Sequence, residues 1–328
     1  MPERELTFAE AIREALAEEM RRDTRVFILG EDVAEAGTPF KVLSGLVDEF
    51  GKDHVIDTPI SEPGFTGLGV GAAMTGMHPI VDIMFGDFLT LAMDQIVNQA
   101  AKVHYMSGGK MKVPIVFRTT LGATRRSAAQ HSQSLHAWMS HVPGLKVVIP
   151  STPYDAKGLL KTAIRDQNPV VFFEDKMMYK LRGPVPEAEY TIPFGQADVK
   201  RVGQDITLVA TSSKVQVAMG AAEKLSQIGI SAEIVDPRTT KPLDKETLIR
   251  SAMKTSRAIV IDEGYESYGV TAEIASVIAE GAFYYLDAPV RRMGAMDVPI
   301  PFSPALEDLT VPTDDTVFEM AKILCRRN

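Results

Sequence analysis

The chain has 328 residues, 45% of them apolar and 24% charged, with a formal net charge of −8 from 35 Lys+Arg against 43 Asp+Glu. That composition belongs to a globular protein with room for two domains, and the negative balance argues against nucleic acid and for small molecules or a basic protein as partners. Cys325 is the only cysteine, the first residues lack the apolar core of a signal peptide, and no apolar run could cross a bilayer; a reducing compartment is expected, either the cytoplasm or, in a eukaryote, the mitochondrial matrix or a plastid.

Thr7-Phe8-Ala9-Glu10 reads as a capping box opening a helix to about Asp23. Arg25 to Gly30 is a buried-looking strand, and Glu31-Asp32 follow at its C-terminal end, the edge where ligands sit in open α/β sheets. A helix is expected over Val42 to Phe50, then a short strand near Val55-Ile56. Asp57 to Gly71 follows as strand end, tight connection and helix start. Ser61 is a plausible N-cap, Glu62 lies in the first turn, and Gly64, Gly67 and Gly71 recur at helical spacing as a smooth face. Taken alone, Glu62 there could simply complement the helix dipole, worth about 0.3–1 kcal/mol.

Ile80 to Met84 is the next strand. Phe85-Gly86-Asp87-Phe88 then turns into a long helix with Phe88, Leu91, Ala92, Ile96, Ala100 and Val103 on one stripe. Val113 to Phe117 is a strand. The polar loop Thr119 to Gln130 is long enough to suggest a functional role, and it ends at His131-Ser132-Gln133-Ser134, where a helix begins. Lys146 to Ile149, a Thr152-Pro153-capped helix and Val170 to Phe173 complete an alternation of strands and helices that predicts a parallel sheet covered on both faces. Lys180 to Gln196, with Pro184, Pro186 and Pro193, reads as a linker. Strands near 206–210, 232–235, 258–261 and 290–293, with helices between and after them, form a second, smaller α/β domain.

Several chemistries lack their motif. The run Gly67-Leu68-Gly69-Val70-Gly71 places Met74 where a dinucleotide fingerprint needs its third glycine. No phosphate-binding P-loop and no G-x-S-x-G elbow occur, and His131, His136 and His141 are spaced by five, which does not align two on one helical face for zinc. What remains is a helix-mouth glutamate, aromatics at a strand-to-helix junction, and a histidine crowded by hydroxyl and amide groups, as a positioned acid–base group requires.

In their order along the chain, LGEDV at 29–33, DTPISE at 57–62, DQIVNQAAK at 94–102, YMSGG at 105–109, HSQS at 131–134 and PGLKVVIPSTPYDAKGLL at 143–160 resemble the beta subunits of the thiamine-diphosphate-dependent decarboxylating component of 2-oxo acid dehydrogenase complexes. The resemblance spans essentially the whole chain. It implies two three-layer αβα domains: a pyrimidine-binding thiamine-diphosphate fold over 1–183, a linker over 184–200 and a transketolase C-terminal-like domain over 201–328. It also implies an α2β2 heterotetramer in which the alpha subunit grips the diphosphate and Mg²⁺ through a Gly-Asp-Gly…Asn motif absent from this sequence, so this chain is expected to be inactive alone.

The site residues follow from the same resemblance. Glu62 would hydrogen-bond N1′ of the aminopyrimidine, with Ile60, Met84, Phe85 and Phe88 walling that ring. His131 would stand near the substrate and the incoming lipoyl group and give a proton to the lipoyl sulfur. Ile115, Ala163, Ile164, Asp166 and Asn168 match positions that hold a structural potassium ion; the alternative is that Asp166 and Asn168 cap the helix end before Pro169. Glu307, Asp308, Asp314, Asp315 and Glu319 are candidates to dock the basic subunit-binding domain of the acyltransferase core. The segment from Arg126 to His131 leans toward pyruvate or acetoin over branched-chain 2-oxo acids. A non-catalytic assembly protein and half of a split transketolase are the competing readings.

Overall fold

The computed structural model describes residues 4–325. It divides into two compact units, 1–121 with 138–194, and 122–137 with 195–328.

In the first unit the elements are β1 (Glu5–Thr7), α1 (Phe8–Arg22), β2 (Val26–Gly30), α2 (Leu46–Phe50), β3 (Val55–Asp57), α3 (Glu62–Met74), β4 (His78–Ile83), α4 (Ala101–Met106), β5 (Val116–Leu121), α5 (His136–His141, which crosses the division), β6 (Lys146–Val148), α6 (Pro153–Arg165), β7 (Val170–Asp175) and β8 (Arg182–Pro184). Six parallel strands lie in the order β6-β7-β5-β4-β2-β3. Strand side chains alternate between faces. Ile28, Val170 and Phe172 therefore join the core under α1 and α6, and Phe27, Leu29, Val171 and Phe173 join the core under α3. The chain runs from β2 to β3 on one side and returns to β4 on the other. That reversal makes the carboxyl ends of β2, β3 and β4 a topological switch point, where α/β sheets hold ligands.

The second unit holds β9 (Asp198–Arg201), β10 (Ile206–Ala210), α7 (Lys214–Gln227), β11 (Ala232–Asp236), β12 (Thr239–Lys241), α8 (Lys245–Thr255), β13 (Ala258–Tyr265), α9 (Val270–Gly281), β14 (Arg291–Ala295), α10 (Pro304–Glu307) and α11 (Asp314–Cys325). Its sheet has the order β14-β13-β10-β11-β9, with β9 antiparallel to β11 and the other pairs parallel. One core lies under α7 and α11 and the other under α8 and α9. Two three-layer α/β units are thus present.

Four local expectations change. The long helix after β4 is instead a 3-10 stretch Gly86–Ala92, a π-helical stretch Asp94–Ala100 and then α4. Each change of winding rephases the side chains, so Leu91, expected inward, is 55% exposed. α2 begins only at Leu46, because Gly45 precedes it at φ 87° while Val42 and Leu43 fill the core from a turn. The strand expected from Val113 starts at Val116, after Pro114, which has no N–H to give a ladder. The expected linker is packed structure. β8 pairs antiparallel with β1, Ile192 is a core residue, and Tyr190 stacks on Tyr154 at 4.5 Å. Residues 198–201 are β9.

Candidate active site

The peptide carrying Glu62 is set by its neighbours in the first unit. The Thr58 N–H donates to Gly30 O at 2.9 Å, and Asp57 Oδ1 accepts the Ala34 N–H at 2.7 Å, tying the segments after β2 and β3 together. A Cβ at Gly30 would lie 2.5 Å from the Asp82 carbonyl, so only glycine lets β2 and β4 meet there. Ser61 occupies the N-cap position of α3, but its hydroxyl makes no capping bond. Glu62 is 6% exposed in the first helical turn. The glycine that seats α3 on the sheet is Gly69, whose Cβ would fall 2.5 Å from Val81 Cγ2; Gly64 and Gly71 face outward.

Around the same sheet edge, Phe85 and Phe88 meet edge-to-face at 5.7 Å, Phe40 meets Phe85 at 5.8 Å, and Phe40 meets Tyr179 at 5.2 Å. Thr119 and Thr120 donate their hydroxyls to the Ile83 and Met84 carbonyls at 2.7 and 3.2 Å, fixing the strand end. Met84, Phe85 and Phe88 are half-buried and Ile60 is 75% exposed. A buried carboxylate at the mouth of α3 and a half-open aromatic wall fit a flat heteroaromatic ring that needs one hydrogen-bonded nitrogen. Glu31 belongs to this edge as well. Burial, then Asp32 and Glu62, raise its pKa; its place at the end of β2 was a usable signal that the candidate site omitted.

Beneath the wall lies a buried charge cluster. Arg118 on β5 donates from Nε and Nη2 to Glu174 at 2.6 Å each and from Nη1 to Asp82, while the Tyr179 hydroxyl donates to Glu174 at 2.9 Å. Burial raises the pKa of both Asp82 and Glu174, opposed by Arg118.

His131 lies in the second unit, on the segment 122–137. Both ends of that segment are tied to the end of β13. The Ala123 N–H donates to Glu263, and His136 Nε2 lies 3.0 Å from Asp262 Oδ2. Between them Thr124, Arg126 and Ala128 sit at φ 67°, 59° and 58°, each costing roughly 1–2 kcal/mol for an L-residue. His131 itself is partly buried, and the Ser132 and Ser134 hydroxyls beside it are buried without a hydrogen-bond partner.

Ile115, Ala163, Ile164, Asp166 and Asn168 gather at the opposite edge of the first sheet. The carbonyls of Ile115 and Ala163 accept the N–H groups of Val170 and Asp166, and His78 Nδ1 lies 3.2 Å from the Ile164 carbonyl. Asp166 Oδ1 accepts both the N–H and side-chain amide of Asn168, and Oδ2 accepts Lys146. Among the described residues no group of three or more His, Cys, Asp or Glu side chains could hold a metal ion.

Of the five acidic docking candidates, only Glu307 is enclosed. Glu307 is fully buried on the N–H groups of Thr124 and Arg126, Asp308 pairs with Arg126, Asp314 and Asp315 with Lys224, and Glu319 with Lys322. Glu307 is therefore withdrawn from any docking face, whereas Asp308, Asp314, Asp315 and Glu319 keep exposed carboxylates in weak surface pairs.

A transketolase pyrimidine-binding domain model matches residues 4–182, and a transketolase C-terminal domain model matches 195–317. The pyruvate dehydrogenase E1 component subunit beta of Rickettsia felis is 50% identical over 321 residues, covering 98% of each chain. The chain belongs to the beta subunits of the thiamine-diphosphate-dependent 2-oxo acid dehydrogenases. Within this family, the beta subunit of acetoin:2,6-dichlorophenolindophenol oxidoreductase of Bacillus subtilis is 49% identical, over 96% of this chain and 95% of its own. A mitochondrial pyruvate dehydrogenase E1 subunit beta-1 of Oryza sativa is 46% identical, over 99% and 88%. A solved split-gene transketolase, an inactive β4 tetramer, aligns with TM-score 0.77 over 98% of this chain and 99% of its own at 23% identity, a likeness of fold.

Proposed function

We propose that this chain is the beta subunit of an α2β2 pyruvate dehydrogenase-type enzyme, which decarboxylates a 2-oxo acid and passes the acyl group to the lipoyl domain of an acyltransferase. The observation that carries the reading is Glu62, a carboxylate buried at the mouth of α3 on the switch-point edge that also holds Phe85 and Phe88. Thiamine diphosphate, when bound, supplies the nucleophilic carbon and the electron sink for loss of CO₂. Glu62 holds a proton at the pyrimidine N1′, Phe88 gives the ring a stacking face, and Ile60, Met84 and Phe85 exclude water from it. The alpha subunit holds the diphosphate and Mg²⁺. Large exposed apolar residues on each unit support burial against partners, among them Leu68, Tyr105 and Met106 on the first and Tyr268, Tyr284 and Phe302 on the second. Oxidation of acetoin or of a branched-chain 2-oxo acid is the alternative activity; reconstitution with the cognate alpha subunit against a panel of these substrates decides which.

His131 donates a proton to the lipoyl sulfur during acyl transfer. His131→Ala in the reconstituted tetramer is expected to slow transfer to lipoyl domain about 10²-fold or more, the usual worth of a positioned acid, while decarboxylation with an artificial oxidant falls far less. Equal rates for wild type and variant in both assays would remove the role.

The carbonyls of Ile115, Ala163 and Ile164, with Asp166 and Asn168, hold a structural potassium ion. Each carbonyl already accepts one bond but keeps a second lone pair. A ligand at a hundred times its Kd adds about 2.7 kcal/mol, so melting in potassium chloride should lie several degrees above melting in tetramethylammonium chloride. Identical melting would leave Asp166 and Asn168 as helix-end caps.

A further inference from the structure

We infer that Glu307 is a positioning residue that holds the backbone of the His131 segment in its working shape. The segment 122–137 has anchors at its two ends, Glu263 on Ala123 and Asp262 on His136, and the backbone between them takes left-handed turns at Thr124, Arg126 and Ala128. Residues other than glycine keep that conformation only where the surroundings over-determine it. Glu307 does so at Thr124 and Arg126. It is fully buried at the end of α10. Its Oε1 accepts the Thr124 N–H at 2.7 Å, and its Oε2 accepts the Arg126 N–H at 3.2 Å and Arg126 Nη1 at 2.7 Å. The Arg126 guanidinium goes on to Asp308 at 2.7 and 3.1 Å, closing a clamp of one cation between two acids.

The backbone that carries this carboxylate is itself fixed. Its residue's N–H donates to the Ser303 carbonyl, and its own carbonyl accepts both the N–H and the hydroxyl of Thr310. Two oxygens facing the N–H groups of Thr124 and Arg126 cannot be replaced by an amide, which offers one acceptor and turns a donor on the other N–H. Glu307 is five residues along the segment from His131 at its nearest contact, Arg126, so it acts through the backbone and not on substrate. Its importance for acyl transfer rests on the role given to His131 above.

The test uses Glu307→Ala and Glu307→Gln in the reconstituted tetramer with bound cofactor. Hydrogen exchange of the 123–131 amides is expected to rise about tenfold in Glu307→Ala, the loss of one charge-assisted bond's worth of protection, and less in Glu307→Gln. Turnover of acyl transfer to lipoyl domain should fall in the same order, about tenfold and then less, with KM for the 2-oxo acid and turnover with an artificial oxidant within about twofold. Unchanged exchange in Glu307→Ala would overturn the clamp, and so would an equal fall in both partial reactions, the mark of general destabilisation. Raised exchange with unaltered transfer, in an enzyme where His131→Ala does impair transfer, would overturn the positioning role. If His131→Ala is silent, the role of His131 falls on its own, and the exchange measurement still judges the clamp.

Discussion

Replacing Glu62 by Gln should reduce turnover of the reconstituted enzyme by about 10²–10⁴-fold, the range that a positioned proton-transfer group supplies. The substitution is nearly isosteric, and the surrounding packing of Phe65, Val70 and Gly69 on the sheet is untouched. Thermal stability and assembly with the alpha subunit should therefore hold. What changes is chemistry: an amide at the helix mouth can hydrogen-bond the pyrimidine nitrogen but cannot exchange a proton with it. The fall should appear in turnover with an artificial oxidant as well as in acyl transfer, because both depend on cofactor activation. Near-normal turnover would remove Glu62 from the mechanism.

The second large effect is on stability. Arg118→Leu leaves Asp82 and Glu174 buried at 4% and 0% exposure without their cation. Breaking a buried ion pair from one side costs about 3–5 kcal/mol, and at roughly 2–4 °C per kcal/mol for a domain of this size melting should fall by about 10 °C. The pH dependence has a definite sign. Burial already raises both carboxyl pKa values, and without Arg118 only the Tyr179 hydroxyl on Glu174 opposes it. The folded variant then binds more protons than its unfolded chain, so its stability falls as pH rises and the deficit shrinks on acidification from neutral toward pH ~5. Calorimetry of both proteins across that range checks this; a deficit that is small, or that grows in acid, would show that the cluster is not the charge trap described. Replacing Asp82 and Glu174 together with Arg118 by apolar side chains of matching volume should recover most of the loss.

Much of the fold was legible because period and punctuation agreed. The capping box at Thr7 and Glu10 is present in full, α1 ends at Arg22 against an expected end near Asp23, and β2 is buried as read. The failures share a cause. Leu91 and the helix after β4 depended on constant winding, which the 3-10 and π-helical stretches break. Residues 184–194 looked like a linker because proline masks periodicity, yet Ile192 and Tyr190 are held by partners distant in sequence. Of the candidate site, the helix-mouth position of Glu62 and the Phe85–Phe88 junction were legible in local motif. The site was illegible where it rests on burial: nothing in the sequence singles out Arg118, Asp82 and Glu174, and Glu307, a docking candidate by sequence, is fully buried. Nothing in a sequence announces that an acid will be enclosed by a loop some 180 residues earlier.

That residues 122–137 cluster with the C-terminal unit has a consequence for how such chains can be recombined. A crossover placed at 194/195 would pair the histidine stretch from one parent with Glu263, Asp262 and Glu307 from the other, although these groups bond to one another. Chimaeras cut at that junction should retain two well-formed halves yet lose the fit of one loop, whereas a graft that moves 122–137 together with 195–328 keeps lock and key from the same source.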